Sequence, residues 1–169
     1  MKSPVSAALL GVWLLAGASV QAEDIITAAE ERQAVQECAL LLERPQAQHA
    51  LQTVKVQLQS QGLKLQTVGC PFVRVRGGKM QQVMEVRVWV TDSDSAAYFV
   101  RGPLADGETV DMGDVQLAQM AASAGDTARV EDLSPDVLFN RQWLSSVMQA
   151  RGFSAVEGHW WAFVPSTAQ

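Results

Sequence analysis

Apolar residues at Ala34, Val35, Cys38, Leu41 and Leu42 recur at helical spacing and predict a helix over about 27–43. Pro45 separates it from a second helix over about 46–61, with Ala47, Ala50, Leu51, Val54 and Leu58 inward and Gly62 as a natural C-terminal cap. The pattern then changes from a helical period to alternation. Residues 63–68 predict a short strand. F-V-R-V-R, Gly77-Gly78 and K-M-Q-Q-V-M-E-V-R-V-W-V predict a hairpin whose long second arm is the firmest strand of the chain. Asp92 to Ser95 reads as a turn, 96–101 as a returning strand, Asp106-Gly107 as a further turn and 115–123 as a helix. L-S-P-D gives the clearest helix start: Ser134 caps, Pro135 fits the first turn and Asp136 faces the positive helix end. Val137, Leu138, Leu144, Val147 and Met148 keep the period until Gly152 stops it, and H-W-W-A-F-V-P closes the sheet. Helices flanking a central, mostly antiparallel sheet make the expected class α+β.

The first residues bear on the compartment. Met1-Lys2, an apolar run over 7–17 and the small residues of A-S-V-Q-A predict a signal peptide cut after Ala22. The run is short for a bilayer span. Residues 23–169 are then expected to form a single exported domain, periplasmic or secreted, large enough to bury a core. The cut removes Lys2 and no acidic residue, so the net charge moves from −5 to −6, and no nucleic-acid surface is expected. In an oxidising compartment two lone cysteines, Cys38 and Cys70, are more often a disulfide than a metal site or a nucleophile.

Candidate chemistry is sparse. A hydrolytic zinc needs three protein ligands in close array. The chain has two histidines, His49 and His159, and neither H-x-H, H-E-x-x-H nor clustered cysteines. His49, among glutamines in a predicted helix, reads as a surface residue, and no metal or other cofactor is expected. Arg74, Arg76 and Lys79 around Gly77-Gly78 read as a solvated hairpin end, with anion binding as the alternative. Asp106, Glu108, Asp111 and Asp114 do not fit a calcium loop. The stretch E-G-H-W-W-A-F is the most distinctive: alternation sets Trp160 on the face opposite His159, Trp161 and Phe163. Either one of Trp160 and Trp161 packs as core with the other partly exposed on the strand's second face, or the exposed tryptophan, read as Trp161, forms with Glu157 and His159 a rim that binds something flat or apolar.

The stretch from L-S-P-D to W-W-A-F resembles the C-terminal part of the D-alanyl-D-alanine dipeptidases of the VanX type. Asn140, Arg141, Leu144, Met148, Gly152, Phe153, Trp160, Trp161 and Phe163 match that family's helix and its E-W-W-H-F strand. D-G-E-T-V-D-M-G and A-L-Q-T-V-K-V-Q-L-Q-S-Q-G-L-K-L are similar to upstream pieces, in the same order. The resemblance implies a reduced DD-peptidase fold. It also implies a lost zinc site, because the family holds its metal through the His and Asp of S-x-H-x-x-G-x-A-x-D and the His of E-W-W-H. Ala162 stands in the last His position, His159 in that of the general base, Arg87 in that of the Asp and Met80 in that of the first His. The family's Y-R-P turn reads G-C-P here, and a segment before the next strand is missing. The implied function is an exported pseudo-peptidase binding a cell-wall peptide or a periplasmic protein, with Arg87, Glu157, His159 and Trp161 as candidate binding residues. A residual cell-wall peptidase and a purely structural adaptor are the alternatives.

Overall fold

The computed structural model describes residues 32–34, 36–113 and 133–166. The signal peptide expected over 1–22 and the helix expected over 115–123 lie outside the described residues. Among the described residues the helices α1 (Pro45–Gln59), α2 (Ser93–Ala96) and α3 (Pro135–Gln149) accompany β1 (Leu63–Gly69), β2 (Phe72–Arg74), β3 (Met80–Gln82), β4 (Met84–Val90), β5 (Phe153–Val156) and β6 (His159–Pro165). The first four-stranded sheet has the order β1-β4-β6-β5, antiparallel throughout, and β2 and β3 form a second, two-stranded sheet. The α+β class follows directly.

Local chemistry explains the boundaries. Pro45 opens α1, whose buried stripe is Ala47, Leu51, Val54 and Leu58. Gly62 follows at φ +72, where any Cβ would collide with the Asp92 carbonyl, so the tight junction between α1 and β1 demands glycine. At α3 the Ser134 hydroxyl accepts from the Val137 N–H at 3.2 Å, with Pro135 and Asp136 in the first turn. Val137, Asn140, Leu144 and Met148 point inward. Leu58, Leu65, Met84, Leu144, Met148 and Phe163 belong to the main core.

Two strand expectations are corrected. Residues 96–101 are not a strand: Asp92 accepts from the Ser95 N–H and caps α2, and the turn runs on through Val100, whose N–H donates to the Ala96 carbonyl at 3.0 Å. The long arm after Gly78 is not continuous either. Val83 is fully buried and its N–H donates to the Pro71 carbonyl, so the chain turns there and β3 and β4 enter different sheets. Near the N-terminus the described helical residues reach only 37, and turns occupy 38–42. Cys38 and Cys70 are disulfide-bonded, their Cα atoms 5.2 Å apart, which fixes this segment to the end of β1. No described helix is long and apolar enough to cross a membrane.

The edge of β4 away from β1 is shared. Met84 and Glu85 pair with Phe163 and Ala162 of β6. Farther along, Trp89 bridges to Thr109, the Val110 N–H donates to the Val88 carbonyl, and the Gly107 N–H donates to the Val90 carbonyl. Val86 and Arg87, between them, take register partners from β1 alone.

Candidate functional site

Alternation along β4 buries Met84, Val86, Val88 and Val90 and turns Glu85, Arg87 and Trp89 to the other face. Ala162 lies opposite Glu85, and Arg87 is two residues along on the same side. The positions that the resemblance assigns to two zinc ligands, Arg87 and Ala162, are therefore on adjacent strands of one face. Met80, assigned to the third, stands apart on β3 and is exposed. Burial pushes the Glu85 carboxyl above its ordinary range, while the neighbouring Arg87 charge pulls it down.

Arg87 is exposed and borders an open groove of about 340 Å³, together with Gln33, Glu37, Gln66 and Thr67. Gln66 is its register partner on β1. The Trp89 indole N–H donates to Gln66 Oε1 at 2.7 Å, and since indole is only a donor, the Gln66 amide is oriented with Nε2 left as a donor. Thr67 is buried, and its hydroxyl has no hydrogen-bond partner among the described residues.

The other expected site residues are elsewhere. Glu157 occupies the β5–β6 turn, with its carboxylate 3.5 Å from Arg76 and both side chains exposed. His159 Nδ1, as the N–H tautomer, donates to the Glu157 carbonyl at 3.1 Å, and its ring meets Trp161 edge to face with centroids 5.4 Å apart. His159 is 7% exposed and Trp161 1%. Trp161 packs with Val73, Val83, Val156 and Ala162 in a second apolar cluster, whereas Phe163 belongs to the main core. Regular alternation fails here because His159 pairs with Val156 and Phe163 with Ala155, so three residues of β6 lie between successive β5 pairings. The structure brings His159 and Trp161 together as packed groups, and it sets Arg87 and Glu157 in two further places.

A junction that the sequence named only as motif matches joins three distant segments. Asn140, fully buried, donates from Nδ2 to the Arg101 and Asp111 carbonyls, both at 2.9 Å, and accepts from the Arg101 N–H at 2.8 Å. Arg141 Nε donates to the Met112 carbonyl at 2.6 Å, and its guanidinium lies 4.9 Å from the centroid of the Trp160 ring. Gly113, at φ +75, leaves room that a Cβ would take from Arg141 Nη2. Burial lowers the Arg141 pKa, and the Asp111 charge raises it. The available signal was an asparagine in the inward stripe of a helix, where a polar group must find partners.

Among the described residues no group of three or more His, Cys, Asp or Glu side chains is placed to hold a metal ion. No protein-family model, curated protein or solved structure matches the chain.

Proposed function

We propose that the chain is an exported, non-catalytic protein of the D-alanyl-D-alanine dipeptidase type, and that it holds the carboxylate of a cell-wall peptide through Arg87. The observation carrying this reading is the convergence of the motifs behind the resemblance. The D-M-G residues Asp111 and Met112 accept from the N-R pair Asn140 and Arg141, and Arg141 stacks on Trp160 of the W-W pair. Contact among three pieces so far apart in sequence is what a common scaffold requires. The disulfide accords with an oxidising compartment.

The Arg87 groove has suitable chemistry for a carboxylate. A guanidinium presents paired donors matched to two carboxylate oxygens, and the oriented Gln66 amide adds another beside it. Glu85 on the same face competes for Arg87, and Glu37 in the groove lining opposes a second carboxylate, which limits affinity. A second reading, a structural adaptor, is favoured by the deep burial of His159 and Trp161, the latter packed in one cluster with Val73 of β2.

Calorimetric titration of D-alanyl-D-alanine and of a muramyl stem peptide into wild type and Arg87→Ala separates the readings. Binding by wild type that the variant loses supports peptide capture, and binding by neither leaves the adaptor. Metal analysis accompanies the titration: one tight zinc per chain with EDTA-sensitive dipeptidase activity would overturn the non-catalytic reading.

A further inference from the structure

From Arg44 to Met84 the chain carries Arg44, Lys55, Lys64, Arg74, Arg76 and Lys79, and not one Asp or Glu. The whole chain has a net charge of −5, so this block, which holds six of its 13 Lys and Arg and no carboxylate of its own, is positive against that average. Half of that block stands on the β2–β3 hairpin. Gly77 and Gly78 form the hairpin tip at φ +89 and +79, and nothing lies within 4 Å of where a Cβ would project from either.

The hairpin has two unlike faces. Val73 turns inward to the cluster around Trp161, while Phe72 and Arg74 turn outward. Arg74 is the register partner of Met80, and Phe72 of Gln82, which sets Phe72, Arg74 and Met80 on one outward face. Phe72 is 63% exposed and Met80 56%. Two large apolar side chains therefore flank a guanidinium, with Arg76 and Lys79 next to them at the tip. Arg76 has a competing contact with Glu157, but that pair is open to solvent and weak.

We propose that the β2–β3 hairpin docks the protein on an anionic lipid bilayer, with Phe72 and Met80 entering the boundary between headgroups and acyl chains and Arg74, Arg76 and Lys79 meeting lipid phosphates. Charge complementarity selects an anionic partner, since the hairpin itself carries three cations and no carboxylate, a surplus that Glu157 beside Arg76 reduces without cancelling. The apolar pair selects lipid over an acidic protein. Phe72 and Met80 stand on a diagonal of the outward face with Arg74 beside both, an exposed apolar pair edged by cations that a headgroup boundary accepts without a shaped pocket. This inference is independent of peptide binding at Arg87, so the outcome of either experiment leaves the other standing.

The test uses the full chain in flotation with vesicles of phosphatidylcholine alone and of equal phosphatidylcholine and phosphatidylglycerol, at low and at physiological salt. Wild type, Arg74→Gln/Lys79→Gln and Phe72→Ser are compared, so any contribution of the first 22 residues is common to all three. The expected result is preference for the phosphatidylglycerol vesicles, weakened by salt. The double variant should lose about 25-fold, roughly five-fold per cation, and Phe72→Ser about ten-fold. All three should keep one thermal midpoint, because the changed side chains are exposed. Equal binding by the three proteins, or no preference for the anionic vesicles, would overturn the proposal. So would binding to soluble polyglutamate as tight as to vesicles and indifferent to Phe72→Ser, since that outcome assigns the hairpin to an acidic macromolecule.

Discussion

Replacing Asn140 with alanine should unfasten the junction between α3 and the 101–111 segment. The side chain is fully buried and makes three hydrogen bonds, two donated to the Arg101 and Asp111 carbonyls and one accepted from the Arg101 N–H. At a net ~0.5–1 kcal/mol for each bond, plus ~1.5–2 kcal/mol for the desolvation of a stranded N–H, the cost comes to about 3–5 kcal/mol. Urea unfolding followed by tryptophan fluorescence, with the disulfide intact, reads this as a midpoint lower by about 1.5–2.5 M for a slope near 2 kcal/mol/M. Asn140→Asp is the informative companion. It keeps an acceptor for the Arg101 N–H but sets a carboxylate against two carbonyls, so it should be at least as destabilised near neutral pH. A loss below about 1 kcal/mol for Asn140→Ala, with an unchanged slope, would refute the junction as a stabilising element.

Removing the Cys38–Cys70 bridge, whose partners are 32 residues apart in sequence, should cost about 3–4 kcal/mol by the loop-entropy estimate, and mass spectrometry under non-reducing conditions should find no free thiol in protein purified without reductant. Glu85→Gln should alter the pH profile of stability. Because the folded-state pKa of Glu85 lies above its ordinary 4.5, ionisation opposes folding at neutral pH and the opposition fades as pH falls toward 4.5. The glutamine variant should therefore gain on wild type at pH 7 and lose that advantage by pH 4.5. An advantage that grows on acidification in paired thermal melts would reverse the sign and refute the assignment.

The elements that the sequence predicted well carry their own local signals. Pro45 and Ser134-Pro135 mark helix starts by backbone chemistry alone, and β1 and β4 are written in strict alternation. The failures are non-local. The residues from Ala96 to Arg101 have strand composition, yet Asp92 reaches the Ser95 N–H and winds the chain before pairing can start. The turn at Val83 depends on Pro71, and the broken alternation at Trp161 depends on a pairing with β5. For the candidate site, sequence supplied Arg87 and the His159–Trp161 pair, but not their separation. Which of two adjacent tryptophans is buried, and beside what, is decided by strands distant in the chain.

The divided edge of β4 has a consequence for the order of assembly. Val88 to Val90 pair with 107–110, a partner that follows them closely in the chain, whereas Met84 and Glu85 wait for Phe163 and Ala162, more than seventy residues on. Closing the longer loop costs about 1 kcal/mol more in chain entropy. A chain emerging in order can therefore complete β1, β4 and the 107–110 strap while the half of β4 that receives β6 still has an open edge. Until β6 arrives, the Met84 end of that strand is exposed to pairing with other chains.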